Sequence, residues 1–170
     1  MPLLQVNPTV RIQAGGYEVT ISPSAGARLL KLTYSYNNRL IDCVVPFAQA
    51  ESIDAHHWPK AGAFVMLPFT NRLAPAEFEW QGRLIALENG SNSGQGLHGF
   101  GHRRDWAITD TSDSQVTLEY KHTASSAEWP WTFHAKLVYS VSALGLSVAL
   151  SVRNTDISSM PVSLGSVSYT

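Results

Sequence analysis

A lone cysteine, Cys43, rules out an internal disulfide framework. It lies in the apolar run "LIDCVVPF", where a small buried hydrophobe is the expected role, and a reducing compartment suits it. No apolar run approaches the roughly 20 residues needed to cross a bilayer, so no membrane association is expected. The N-terminus "MPLLQVNPTVRIQAGG" lacks the basic start and long apolar segment of a secretory signal, and a cytoplasmic location is the expectation. Charge is scarce and balanced. Charged residues make up 15% of the chain, and 12 Lys and Arg against 13 Asp and Glu leave a net charge of −1. With no broad basic surface to follow a phosphate backbone, nucleic acid is not an expected partner. Internal repeats, low-complexity tracts and linker-like shifts in composition are missing too, so residues 1–170 read as a single domain.

Helical periodicity is also absent, and period two is plentiful. Trp131, Phe133, Ala135, Leu137, Tyr139 and Val141 alternate with smaller or polar residues. After "SALG" the alternation resumes with Leu146, Val148, Leu150 and Val152, which predicts a hairpin of two half-buried strands. "DWAITD" and "QVTLEYKHT" form a second such pair, with Val116, Leu118 and Tyr120 on one face. "AEFEWQGRLIALE" reads as strand, Gln81-Gly82 turn, strand, and "YEVTIS" with "ARLLKLTYSY" supplies an N-terminal pair. The expected fold class is all-β, an antiparallel β-sandwich. Trp80, Trp106, Trp129 and Trp131 are expected in its core. His122 and His134, interleaved with strand residues, read as part of a polar sheet face.

Two long segments show no period: "FAQAESIDAHHWPKAGAFVMLPFTNRLAP" and "ENGSNSGQGLHGFGHRR". Long loops in compact domains tend to be functional. The second runs into "GQGLHGFGHRRDW", which gathers two histidines, two arginines, an aspartate and a tryptophan around four glycines. Glycine allows sharp turns and close approach of a ligand, and the other residue types grip and protonate polar molecules. His98 and His102 are four apart, but Gly99 and Gly101 argue against the helix that would make them joint metal ligands, and no metal is expected. His56 and His57 precede Trp58 in a loop where contact with a sugar through the aromatic face is one reading and a single packed tryptophan is the ordinary outcome.

Three ordered pieces, "PFTNRLAPAEFEWQGRLIALENG", "GLHGFGHRRDW" and "WPWTFHAKLVYSVSALGLSVALSVRNT" running on to "MPVSLG", together resemble the aldose 1-epimerase (galactose mutarotase) family. The resemblance spans about Phe64 to Gly165. It implies a large antiparallel β-sandwich of the galactose mutarotase-like type, with a sugar in a shallow cleft on one sheet. It also implies interconversion of the α and β anomers of a free aldose by acid/base ring opening, without a cofactor. His98 matches the family's first active-site histidine. Arg72 matches the arginine that hydrogen-bonds sugar hydroxyls, and Asn71 precedes it.

The family's second histidine lies in a "G-x-H-P-Y-F" motif, and here "GSVSYT" places Val167 at that position. The family's glutamate base and sugar-binding aspartate come from a C-terminal half that these 170 residues do not cover. The chain therefore reads as an N-terminal half, incomplete at its C-terminus. A truncated gene, a frame change near the end or a half-length protein that pairs with itself would each produce this, and an exposed sheet edge would lead to a homodimer or to poor solubility. Asp105, Glu77 and Glu88 are carboxylates on either side of His98 in the sequence, and none is singled out as the base. Two other functions compete with mutarotation of a free hexose. One is a non-catalytic carbohydrate-binding sandwich that has lost its acid and base. The other is a hexose-phosphate 1-epimerase, since "HGFGHRRDW" also resembles the turn of that branch, and Arg103 or Arg104 would then hold the anion.

Overall fold

The structure, a computed structural model, describes residues 3–47, 52–54, 57–87 and 96–170. In chain order the first strands are β1 (Leu3–Gln5), β2 (Val10–Ala14), β3 (Tyr17–Ser22), β4 (Arg28–Tyr36), β5 (Arg39–Asp42), β6 (Ser52–Asp54), β7 (Ala63–Met66) and β8 (Arg72–Leu73). They continue with β9 (Glu77–Trp80), β10 (Arg83–Ala86), β11 (Gly96–Leu97), β12 (Ala107–Thr111), β13 (Gln115–His122), β14 (Phe133–Ser142), β15 (Gly145–Asn154) and β16 (Gly165–Ser168). Among the described residues, the one helical element is the 3-10 turn Gly101–Arg103.

Local turn chemistry accounts for the hairpins. Ala14 pairs with Tyr17, Tyr36 with Arg39 and Trp80 with Arg83, leaving two-residue loops of Gly15-Gly16, Asn37-Asn38 and Gln81-Gly82. All six loop residues have φ between 48° and 88°. Positive φ at both central positions defines the turn whose twist matches that of paired strands, and glycine and asparagine enter it most readily. Gly15 is further constrained: a Cβ there would lie 2.2 Å from the Cα of Ala143, in the loop between β14 and β15.

The strands assemble into an antiparallel sandwich. One sheet runs β16-β7-β4-β3-β2, with β5 also paired to β4, and the other runs β12-β13-β14-β15. Val19, Ile21, Leu29 and Val65 from the first sheet, with Leu67 just after β7, meet Val116, Leu118, Phe133, Ala135, Leu137, Tyr139 and Val141 from the second in one core. Full burial of each of these larger apolar side chains contributes about 1.5–3 kcal/mol. A short pair, β1 with β6, covers part of the first sheet's other face through Val6, Leu30 and Ile53.

The alternation predicted for residues 131–153 is present as β14 and β15, with Val141 opposite Leu146 and Leu137 opposite Leu150. β15 is an edge. Its inward residues Leu146, Leu150 and Val152 are half-buried and Val148 is 46% exposed, although their partners on β14 are buried. Trp106, Trp129 and Trp131 are buried, while Trp80 is half-buried and donates from Nε1 to the Ser159 carbonyl at 3.1 Å. Cys43 is half-buried.

Two sequence expectations need correction. The segment read as a non-periodic loop contains β6, β7 and β8. β7 was hidden because "AFVM" is buried on both faces, with β4 and β16 on either side, and so shows no alternation. His122 is not on a polar face. It is 6% exposed, stacks on Phe133 at 4.9 Å and bonds through Nε2 to the Trp129 carbonyl at 3.0 Å. The period that turns Val116, Leu118 and Tyr120 inward also turns His122 inward, and the stretch carrying Trp129 closes over it. His134 does lie on the outward face, 3.0 Å from Glu119.

Candidate functional site

Two short strands far apart in sequence create the site. β8 pairs with β11, setting Arg72 opposite Leu97 and Leu73 opposite Gly96. The ladder extends one residue further, because the His98 amide donates to the Asn71 carbonyl at 2.7 Å. Asn71 (φ 58°) and His98 (φ 60°) are both left-handed. Asparagine is comparatively at home there and histidine less so, which makes His98 a backbone position held by its surroundings.

The turn after His98 is clasped from below. The amides of Phe100 and Gly101 both donate to the Leu67 carbonyl, at 2.9 and 3.1 Å. Gly99 has φ 63°, and a Cβ at this position would stand 2.0 Å from the Leu67 oxygen. Glycine is therefore required by close approach of two backbones as well as by φ. Phe69 and Phe100 are buried on either side of this junction.

His98 itself is half-buried, with Nδ1 buried and bonded to no described group. Its pKa is lowered from the ordinary histidine value, first by burial and then by the positive charge of Arg72. At neutral pH the imidazole is accordingly uncharged. Three rings surround it: Phe64 at 5.9 Å, Trp58 at 6.4 Å and His102 at 6.5 Å between centroids. His102 is 1% exposed and lies 4.8 Å from Trp58 and 5.1 Å from Phe64. Asn71 and Arg72 are exposed beside this cluster. Beneath Phe64 is Arg28, fully buried, its guanidinium 4.7 Å from the ring centroid. Burial lowers the pKa of Arg28 to about 10.

The remaining candidates are placed as follows. Val167, on β16, pairs with Phe64 across the ladder and is half-buried. Arg103 donates to the Gly99 carbonyl at 2.5 Å, and Arg104 is ion-paired with Glu128 and stacked over Phe100 at 5.2 Å. Both arginines thus brace the turn that holds His98. A cavity of about 20 Å³ beside Arg103 and Glu128 has room for one water. Glu77 and Asp105 are exposed, and neither figures among the groups acting on His98. Glu88 and His56 lie outside the described residues, while His57 is exposed and 3.3 Å from Asp54. Among the described residues, no group of three His, Cys, Asp or Glu side chains could hold a metal ion. In the sequence, Trp58 reads as a packed loop tryptophan, with contact to a sugar through its ring face as the other reading weighed. Arg28 is not singled out there, since a lone arginine opening an apolar strand announces nothing.

With this geometry, residues 8–169 match the aldose 1-epimerase family, and the chain belongs to it. It is 31% identical over 159 residues to the uncharacterized protein YihR of Escherichia coli K12, covering 92% of this chain and 48% of that protein. It is 30% identical over 106 residues to YphB of the same organism, also uncharacterized, covering 62% and 35% respectively. Among solved structures, a galactose mutarotase-like protein of Clostridium acetobutylicum superposes with a TM-score of 0.78 at 23% identity, covering 94% of this chain and 49% of that one. The chain spans about half the length of the curated relatives it matches at best, and the sandwich it forms is of the galactose mutarotase-like kind.

Proposed function

We propose that these residues form part of the substrate site of an aldose 1-epimerase acting on a free hexose. His98 is the proton-transferring group, and Arg72 and Asn71 contact the sugar. The observation that supports the reading is the β8–β11 ladder, which sets a neutral, half-buried imidazole beside an exposed arginine in a chain of this family. Anomer interconversion removes a proton from the C1 hydroxyl and delivers one to the ring oxygen. A histidine whose charge is suppressed at neutral pH is competent for one of these transfers. The guanidinium offers a fixed fork of donors to neighbouring hydroxyls. Only proton transfer is needed, so no cofactor enters the scheme. The test is polarimetry of freshly dissolved α-D-glucose and α-D-galactose, with and without protein. Acceleration over the spontaneous rate that vanishes in His98→Ala is expected; a rate equal to the blank from folded protein would sink catalysis by these residues alone.

A second reading, a carbohydrate-binding sandwich without turnover, is favoured by Val167. That side chain lies opposite Phe64, where the family resemblance calls for a histidine, and valine carries no transferable proton. Hexose binding by NMR titration at a spontaneous anomerisation rate would support it. A hexose-phosphate substrate would draw on Arg103 or Arg104, whose guanidinium groups already bond to the Gly99 carbonyl and to Glu128. Affinity for a phosphosugar that is unchanged in an Arg103→Ala, Arg104→Ala double variant would eliminate that branch.

A further inference from the structure

Trp58 has an incomplete set of partners for a tryptophan at the centre of an aromatic cluster. Its ring meets Phe64 at 5.2 Å with planes 72° apart and His102 at 4.8 Å with planes 74° apart, both edge-type contacts. His98 stands at 6.4 Å and 49°. Among the described residues, then, no ring lies parallel on either indole face. Trp58 is half-buried, and its indole N–H donates to no described group and is not among the buried unpaired atoms. Contrast Trp106, 3% exposed with its N–H bonded to the Gly101 carbonyl at 2.9 Å. Trp106 fills a core, whereas Trp58 is half-buried, with an indole donor bonded to no described group and its ring 6.4 Å from that of His98.

We propose that Trp58 is a wall of the sugar site, stacking on the C–H face of the pyranose while its N–H donates to a ring hydroxyl. This inference rests on the reading of His98 and Arg72 as a sugar site. The physical case is that an aromatic ring presents a broad apolar plane at low conformational cost, and that tryptophan adds a polar tip. The less polar face of a pyranose is a patch of axial C–H groups of similar extent. Phe64 and His102, holding the indole edge-on and themselves buried, fix the orientation of the ring. Trp58 is a binding residue in this scheme and takes no part in proton transfer.

The experiment is binding of methyl β-D-galactoside and methyl β-D-glucoside, which cannot ring-open, followed by saturation-transfer NMR. Wild type is compared with Trp58→Phe, Trp58→Leu and Arg72→Ala. Phenylalanine keeps a ring face and loses the donor; leucine keeps apolar volume and loses the face. Expected is affinity within about threefold of wild type for Trp58→Phe and at least tenfold weaker for Trp58→Leu, with thermal melts of both variants like wild type. A filler role would instead be restored by leucine, so wild-type binding by Trp58→Leu overturns the proposal. If Trp58→Leu fails to fold, Trp58→Phe decides, and a loss of tenfold or more there also overturns stacking. Binding lost in Arg72→Ala but retained in Trp58→Leu rejects Trp58 and leaves the sugar site standing. No binding by wild type rejects the sugar-site reading and this inference with it.

Discussion

The amide of His98 donates to the carbonyl of Asn71 at 2.7 Å, and both residues hold left-handed backbone angles. That bond joins the two segments that chemistry needs together, and it sets the imidazole within the field of the neighbouring Arg72. Removing the charge in Arg72→Met should raise the His98 pKa toward its ordinary value near 6.5. Histidine-resolved NMR titration reads this directly, and an unmoved midpoint would refute the coupling. If turnover occurs, its rate should fall on the acid side, as pH drops through the lowered His98 pKa.

Gly99 and Gly82 form a matched pair, with φ 63° and 73°. An alanine Cβ at position 82 meets nothing within 4 Å, whereas at position 99 it meets the Leu67 oxygen at 2.0 Å. Gly82→Ala should cost about 1 kcal/mol for the backbone angle alone, and Gly99→Ala clearly more, about 3 kcal/mol. Urea unfolding of the two variants separates the clash from the torsion. Equal losses would show that the turn can shift.

Burial lowers the pKa of His122, more than its bond to Trp129 raises it. The folded protein therefore resists protonation that the unfolded chain accepts. The stability linked to His122 is complete above about 6.5, declines as pH falls below that and levels off below the folded pKa. His122→Phe should flatten this part of the profile relative to wild type between about pH 7 and 5. Parallel melting curves for the two proteins across this range would contradict the assignment.

Much of this architecture was readable from the sequence, for a physical reason: sheets wet on one face alternate, and β9, β13, β14 and β15 do. The Asn71-Arg72 and Leu97-His98 pairs were legible through family resemblance, though their ladder was not, because two-residue strands have no period. β7 escaped because burial on both faces erases alternation. Arg28 escaped because its environment is assembled from Phe64, Ala61 and Tyr139, all distant in sequence.

Arg28 makes one long hydrogen bond, to the Ala61 carbonyl at 3.5 Å, and its Nε bonds to no described group. A fall in pKa from 12.5 to about 10 corresponds to a cost on the order of 3 kcal/mol for holding the charge inside at neutral pH. Arg28→Met, of similar reach and without charge, should be as stable as wild type or more so. Denaturant midpoints decide it, and a large loss would mean that the contact with Phe64 outweighs desolvation.

β15 leaves Val148 and neighbouring inward apolar residues partly open, and an edge of this kind invites pairing. Self-association to a dimer is expected, with Val148→Lys shifting the equilibrium toward monomer. Light scattering across a concentration series measures both, and a monodisperse wild-type monomer would end the idea.

One carbonyl, that of Leu67, anchors the turn carrying His98, and it directly follows β7, whose register is set by β16 about 100 residues later in the chain. The turn therefore cannot mature by local search. It depends on pairings of β7 with both β4 and β16, contacts of long sequence separation whose loop-closure entropy places its ordering late in folding. Amide hydrogens of Phe100 and Gly101 should then exchange with the slow, global protection of core strands, not with the rapid exchange of a surface loop. The site is in this sense a reporter of whether the whole sheet has closed.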